Sequence, residues 1–153
     1  MEELKFINLI AELNLIGKAV TDEYKRKLNE GDVWATGKLF NSVDYKVIKT
    51  DKGFNLSFLA EKYYINIEEG RAAGKKMPPL NEIKTWIIEK GLPRTKGLNY
   101  IIARSIAKNG IRPKHYLRDI ESELDKYTKS IEKALIVDIQ LEINEILNTI
   151  KLS

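Results

Sequence analysis

The feature that most constrains this chain is the run that follows Pro113. Leu117, Ile120, Leu124, Tyr127, Ile131, Leu135, Ile139, Ile143, Ile146 and Ile150 recur at spacings of three and four, which is the period of one helix face. The run covers more than 35 residues, against about a dozen for an average helix. A chain of 153 residues accommodates one domain with a real core and not two. A stripe this long therefore exceeds what the chain's own core can cover. Either the helix bends back on itself around "KYTKS", or its outer part packs on another chain.

The first thirty residues carry a second long periodic segment. Phe6, Ile10, Leu13, Ile16, Val20, Tyr24 and Leu28 share one face of a helix that stops near Gly31. "WATGKLFNSV" follows, in which Gly37 argues for a connector with about one helical turn. The period then changes to two. Val43, Tyr45 and Val47, the turn "TDKG", and Phe54, Leu56 and Phe58 predict a hairpin from 43 to 59. Tyr63, Ile65 and Ile67 continue the alternation and predict a third strand ending at Gly70, giving a sheet over 43–70. Three strands with one apolar face need a cover, and the first helix supplies it.

Two shorter helices fill 79–110. Pro79 opens the first, with Ile83, Trp86 and Ile87 on its buried face and Gly91 at its end. "LPRTKGLN" is a basic loop, and Ile102, Ala103 and Ile106 form one face of the next helix, closed by Gly110. The expected architecture is a single α+β domain over 1–153. A small, mainly antiparallel sheet is covered by an N-terminal helix (1–30), two shorter helices, and a long C-terminal helix (113–151), bent or partner-packed.

Composition excludes several function classes. No apolar run reaches the roughly 18 residues of a membrane span, and the acids near the N-terminus argue against a secretory signal. The chain has no Cys, which rules out disulfides and thiolate metal sites and suits a reducing cytoplasm. A net charge of +4 is short of a dedicated DNA binder.

No catalytic constellation emerges. Glu68 and Glu69 are adjacent, and adjacent strand side chains point to opposite faces, so they do not share a substrate. His115 is the only His and has no second imidazole or thiol beside it. "GRAAGKK" lacks the phosphate-loop spacing, and Pro78 and Pro79 stand where free backbone N–H groups would be required. The serious rival is nucleic-acid binding. Arg71, Lys75, Lys76, Arg94, Lys96, Arg104, Lys108, Arg112 and Lys114 all lie in the second half and offer phosphate contacts. "IARSIAKNGIRPKHYLRDI" departs from helix-turn-helix, with Ile106 where a small residue belongs and Pro113 shortening the turn. Trp86 sits at core spacing; Trp34, near Gly31 and Gly37, is a candidate interface residue.

Several weak motifs in order carry a resemblance over residues 36 to 120. Tyr63, Ile67-Glu68 and Gly70 match "Y-x3-V-E-x-G". Upstream, Thr36-Gly37-Lys38-Leu39 and Ser42-Val43 match "T-G-x-L-x2-S-I". Downstream come Met77-Pro78-Pro79, Trp86 to Lys90-Gly91, Ala103 to Gly110, and Pro113 with Tyr116-Leu117. This order resembles the tail-completion, or neck, proteins of tailed bacteriophages.

The resemblance implies a structural virion protein made in the bacterial host cytoplasm, with no cofactor, no metal and no catalysis. It implies a homo-oligomeric ring of six or twelve copies at the head-tail junction. Such a ring docks on portal or adaptor proteins on one side and tail proteins on the other, and DNA passes through its channel without sequence-specific contact. On this reading Arg71, Lys75 and Lys76 form an intersubunit or channel-facing loop with Glu68 as acidic partner, and Arg94 and Lys96 come second. Tyr63, Gly70, Pro78, Pro79, Trp86, Gly110 and Pro113 are its structural residues. The alternative from another class is a small nucleic-acid-binding module using the same basic loops.

Overall fold

The computed structural model describes residues 4–31 and 37–152; Trp34 and Thr36 lie outside the described residues. The fold is α+β. Helix α1 (Ile7–Glu30) is followed by a short α2 (Gly37–Ser42), a hairpin of β1 (Asp44–Thr50) and β2 (Gly53–Leu59), and a single-turn α3 (Tyr64–Glu68). Then come α4 (Leu80–Glu89), α5 (Leu98–Asn109), α6 (Tyr116–Ser122) and α7 (Thr128–Leu152), with a 3-10 turn over Leu124–Tyr127 between the last two. The hairpin is antiparallel, with Asp44 opposite Leu59 and Thr50 opposite Gly53.

The main core forms where α1 crosses the hairpin and α6. Ile16, Val20, Tyr24 and Leu28 of α1 meet Leu39, Val43, Ile67 and Ile120, and Leu117, Leu124, Tyr127 and Ile131 pack around them. Leu39 has no exposed surface and Phe40 packs beside it, so the connector is anchored in the core through these two residues. At the start of α1 the buried residue is Leu9, while Ile10 is exposed. The expected face thus holds from Ile16 onward and is rotated by one position at the first turn.

The expected third strand is a correction. Residues 63–70 do not extend the sheet, which has two strands among the described residues. A strand would put Ile65 and Ile67 on the same side; instead Ile67 is buried and Ile65 faces solvent. Backbone bonds from Tyr64 N–H to Glu61, from Asn66 N–H to Tyr63 and from Glu69 N–H to Ile65 close helical turns. Three apolar residues at alternate positions are too few to distinguish a strand from one helical turn.

The long C-terminal helix is interrupted. Glu123 N–H bonds to Ile120 and Lys126 N–H to Glu123, both at the three-residue spacing of a 3-10 turn. The chain then re-enters a helix at Thr128 and α7 runs antiparallel to α1. Lys27 lies over the Tyr116 ring near the end of α1, and Asp138 meets Asn8 and Leu9 at its start. The run is thus interrupted by a 3-10 turn that leads into "KYTKS" rather than folded back on itself, and its outer part is uncovered, with every residue from 143 to 151 exposed.

A second, smaller cluster holds α4 and α5 together. Ile83, Ile87 and Ala103 are buried, with Met77, Trp86, Leu98, Ile102 and Ile106 packed on them. Trp86 fills core space, as its spacing predicts.

Candidate functional site

The two clusters meet at a joint built from the segments that carry the sequence motifs. Arg71 and Ile111 exchange both backbone hydrogen bonds, at 2.9 and 2.8 Å. Gly74 N–H donates to Ala107 at 2.7 Å, and Lys114 N–H to Ile67 at 2.9 Å. Gly70 and Gly110 make this approach possible. Both have left-handed φ, +72° and +73°; a Cβ on Gly70 would stand 2.4 Å from the Ile111 carbonyl, and one on Gly110 2.2 Å from that of Arg71. Neither a side chain's conformational preference nor the space allows any other residue. Pro113 follows, packed beside Gly70. His115 adopts a left-handed conformation as the residue preceding α6 and is half-buried.

Glu68 is placed differently from expectation. It is 9% exposed and does not reach Arg71, Lys75 or Lys76. Its Oε2 accepts the Leu117 backbone N–H at 3.0 Å, capping the otherwise uncapped start of α6. Burial raises the Glu68 carboxyl above its ordinary range, against the Leu117 N–H and the Tyr24 hydroxyl, which favour the charged form. Tyr24 Oη and Glu68 Oε1 nevertheless have no partner at hydrogen-bond geometry, so the two interact through space rather than by a formed bond. A strand would have projected Glu68 from an edge; the α3 turn carries it inward.

Arg71 is a positioning residue rather than a projecting cation. It is half-buried, and its Nη2 donates to the Lys76 carbonyl, pinning the loop from 71 to 76. Lys75 and Lys76 are exposed on that loop. Tyr63, Arg71, Lys76, Pro78, Pro79 and Glu82 line one cleft of about 370 Å³. Burial, with Glu82 nearby, raises the Tyr63 hydroxyl well above its ordinary value. Arg94 and Lys96 border a separate groove of about 260 Å³ with Lys84, between α4 and the loop before α5. Arg71 and Lys76 of the first basic group and Arg94 and Lys96 of the second therefore line different clefts of the same lobe.

Charge is segregated between lobe and body. Between residues 70 and 115 eleven Lys and Arg face two acids, Glu82 and Glu89, a net charge of +9; the rest of the chain carries −5. Nine of those eleven cations are exposed, Arg71 and Lys114 being half-buried. None of the eleven forms an ion pair with a described residue, while the ion pairs seen lie in the body, such as Arg26 with Glu23 and Lys38 with Glu61. A chain-wide +4 hides this separation, and only the lobe's boundaries reveal it. Lys84 and Lys90 belong to the same positive surface.

Asp138 is the residue that sequence reasoning missed. It is 2% exposed and accepts three hydrogen bonds: Asn8 N–H at 2.9 Å, Asn8 Nδ2 at 2.8 Å and Leu9 N–H at 2.8 Å. It thereby caps α1 from α7, because Phe6, at the N-cap position, supplies no side-chain bond. Burial opposes its charge, but these three donors outweigh it and hold the carboxyl below its ordinary value. The signal was a lone acid inside the apolar run "LIVDIQL".

Among the described residues no group of three or more His, Asp and Glu side chains is placed to hold a metal ion, and no helix is long and apolar enough to cross a membrane. Comparison of the chain with protein-family models, with curated proteins and with solved structures finds no match.

Proposed function

We propose that this chain is a non-enzymatic subunit of the neck of a tailed bacteriophage, a head-tail connector or tail-completion ring around the DNA channel. The observation that carries the reading is the convergence of the motif residues on one joint. Gly70, Gly110 and Pro113, scattered over more than forty residues of sequence, stand together where the Arg71–Ile111 backbone pair locks the basic lobe to the body. The motif order that resembles the neck family thus has a physical reason to occur together. The lobe is the part suited to a DNA-lined channel: nine exposed cations attract a passing polyanion without reading its bases. Docking partners are a portal or adaptor protein and tail proteins, and the assembly is a ring of six or twelve copies.

The charge segregation also favours a second reading, a nucleic-acid module that grips phosphates with the same lobe. Fluorescence anisotropy of a labelled duplex, titrated at rising salt, separates the two. A channel-facing lobe gives only weak, sequence-independent binding, no tighter than the roughly micromolar range of non-specific contact at physiological salt. Nanomolar binding that falls about a thousandfold or more between 50 and 200 mM salt overturns the connector in favour of the module.

A further inference from the structure

The cleft of about 370 Å³ beside the joint holds polar groups that the fold leaves unused, and its volume falls within the range of ligand pockets. Arg71 is half-buried. Its Nη2 is committed to the Lys76 carbonyl, while Nη1 is shielded from solvent and has no hydrogen-bond partner. No acid among the described residues forms an ion pair with it, so its charge is neither compensated nor well screened by water. Tyr63 and Asn66 line the same cleft half-buried, and their side chains make no hydrogen bond to another described residue. Polar groups removed from water are normally paired, so this set marks a place where another molecule's groups belong. The remaining wall is apolar. Met77, Pro78 and Ile106 are half-buried there, and Pro79 keeps an extended backbone, φ −58° and ψ 128°, which gives the cleft a stiff edge.

We propose that this cleft docks an extended acidic segment of another protein, with an Asp or Glu carboxylate beside Arg71 and Lys76 and a neighbouring apolar side chain against Met77, Pro78 and Ile106. Charge favours this occupant, because the lobe's net charge of +9 draws acids. The cleft also offers an acceptor. The exposed Glu82 carboxylate lines it, and both Glu82 and Arg71 lie near enough to the Tyr63 hydroxyl to bear on its ionisation. A peptide brings backbone N–H donors along with its acceptors, whereas a phosphodiester strand brings acceptors alone and leaves Glu82 facing like charge. A second copy of this chain fits less well. The acids it exposes lie mainly on helices and tight turns, such as Asp119 and Glu121 on α6, Glu145 on α7 and Asp51 in the hairpin turn, so the described residues offer no free extended segment. The receiving groups are already fixed: the bonds with Ile111 hold the Arg71 backbone, and the Lys76 carbonyl holds its side chain, so docking has little left to order.

The inference stands on this cleft and does not rest on the neck reading. Two libraries of fluorescein-labelled hexapeptides test it, one with Glu fixed at a central position and one with Gln, the other positions varied. Fluorescence polarisation at roughly 100 mM salt should show the Glu pool bound about tenfold or more tighter than the Gln pool, with Leu, Ile or Val preferred beside the Glu. Nitrogen–proton correlation spectra of the full chain should show the Glu pool moving amides at 63–66, 71–79 and 106–111, which frame the cleft, and not those at 94–97, which border the other groove. Lys76→Glu, at an exposed side chain, should weaken the Glu pool about tenfold with unchanged circular dichroism. Lys96→Glu makes the same charge change in the separate groove and should leave binding nearly unchanged. Equal binding of the two pools, no binding of either by about 1 mM, or an equal loss from Lys96→Glu overturns the inference. So does a short DNA duplex that moves the same amides and displaces the peptides, which assigns the cleft to phosphate. Self-association of the unliganded chain that Lys76→Glu abolishes overturns it in favour of a second copy.

Discussion

Replacing Asp138 should release the start of α1 from α7, and its cost can be worked from the geometry. The carboxylate holds two backbone N–H groups, of Asn8 and Leu9, and the Asn8 amide, all within 2.9 Å. Losing a helix cap costs about 0.5–2 kcal/mol. Leaving a buried donor without an acceptor costs about 1–3 kcal/mol, and Leu9 is itself buried. Asp138→Ala should therefore destabilise the fold by about 3 kcal/mol, or about 6–12 °C in Tm for a domain of this size. Asp138→Asn keeps one acceptor oxygen and should cost about half as much. Urea unfolding at pH 7 reads the difference as a lower midpoint with unchanged slope. The pH dependence adds a second check. The folded carboxyl is held below its ordinary value, so its contribution is complete above the unfolded Asp value of about 3.9 and fades as pH falls through the folded one. The gap between wild type and Asp138→Asn should thus narrow on acidification below about pH 4. A cost under about 0.5 kcal/mol for Asp138→Ala, the size of an ordinary surface change, would refute the cap.

Glu68 behaves with the opposite sign. Its folded carboxyl is raised by burial, so wild-type stability should decline as pH rises past the ordinary Glu value of about 4.3. Glu68→Gln should remove that decline in pH-dependent thermal melts, whereas Glu68→Ala, which strands the Leu117 N–H, should cost about 2 kcal/mol. Gly70→Ala should cost more than Gly74→Ala. Both glycines have left-handed φ, worth about 1–2 kcal/mol, but a Cβ on Gly74 meets nothing within 4 Å while one on Gly70 meets the Ile111 carbonyl. Equal losses in denaturant midpoints would contradict the joint. Lys75→Glu with Lys76→Glu should leave stability within about 0.5 kcal/mol and weaken duplex binding, while Arg71→Ala should lower stability because it frees the loop from the Lys76 carbonyl.

Much of the fold was legible because long segments average over local ambiguity. The period of α1 from Ile16 onward, the hairpin with its "TDKG" turn, and the faces of α4 and α5 all follow from spacing. The failures have local causes. Tyr63, Ile65 and Ile67 offered three alternating residues, which one helical turn accommodates as well as a strand. The 3-10 break at 124–127 leaves no mark in the apolar spacing, because Ile120, Leu124 and Tyr127 keep spacings of four and three whether the turn is α-helical or 3-10; only the length of the run pointed to an interruption near "KYTKS". The site divides in the same way. Lys75, Lys76, Arg94 and Lys96 were legible as exposed loop cations. Glu68 and Asp138 were not, since a carboxylate that caps a distant helix leaves no local pattern: their partners lie 49 and 130 residues away.

The proposed neck assignment is tested most directly by asking whether tailed virions purified from cells that express this chain contain it, and in how many copies, using quantitative mass spectrometry against the major capsid protein. Six or twelve copies per particle, retained through purification, is the expected result. Absence from the particle, or a count that scales with the capsid shell rather than with its single tail, would contradict it.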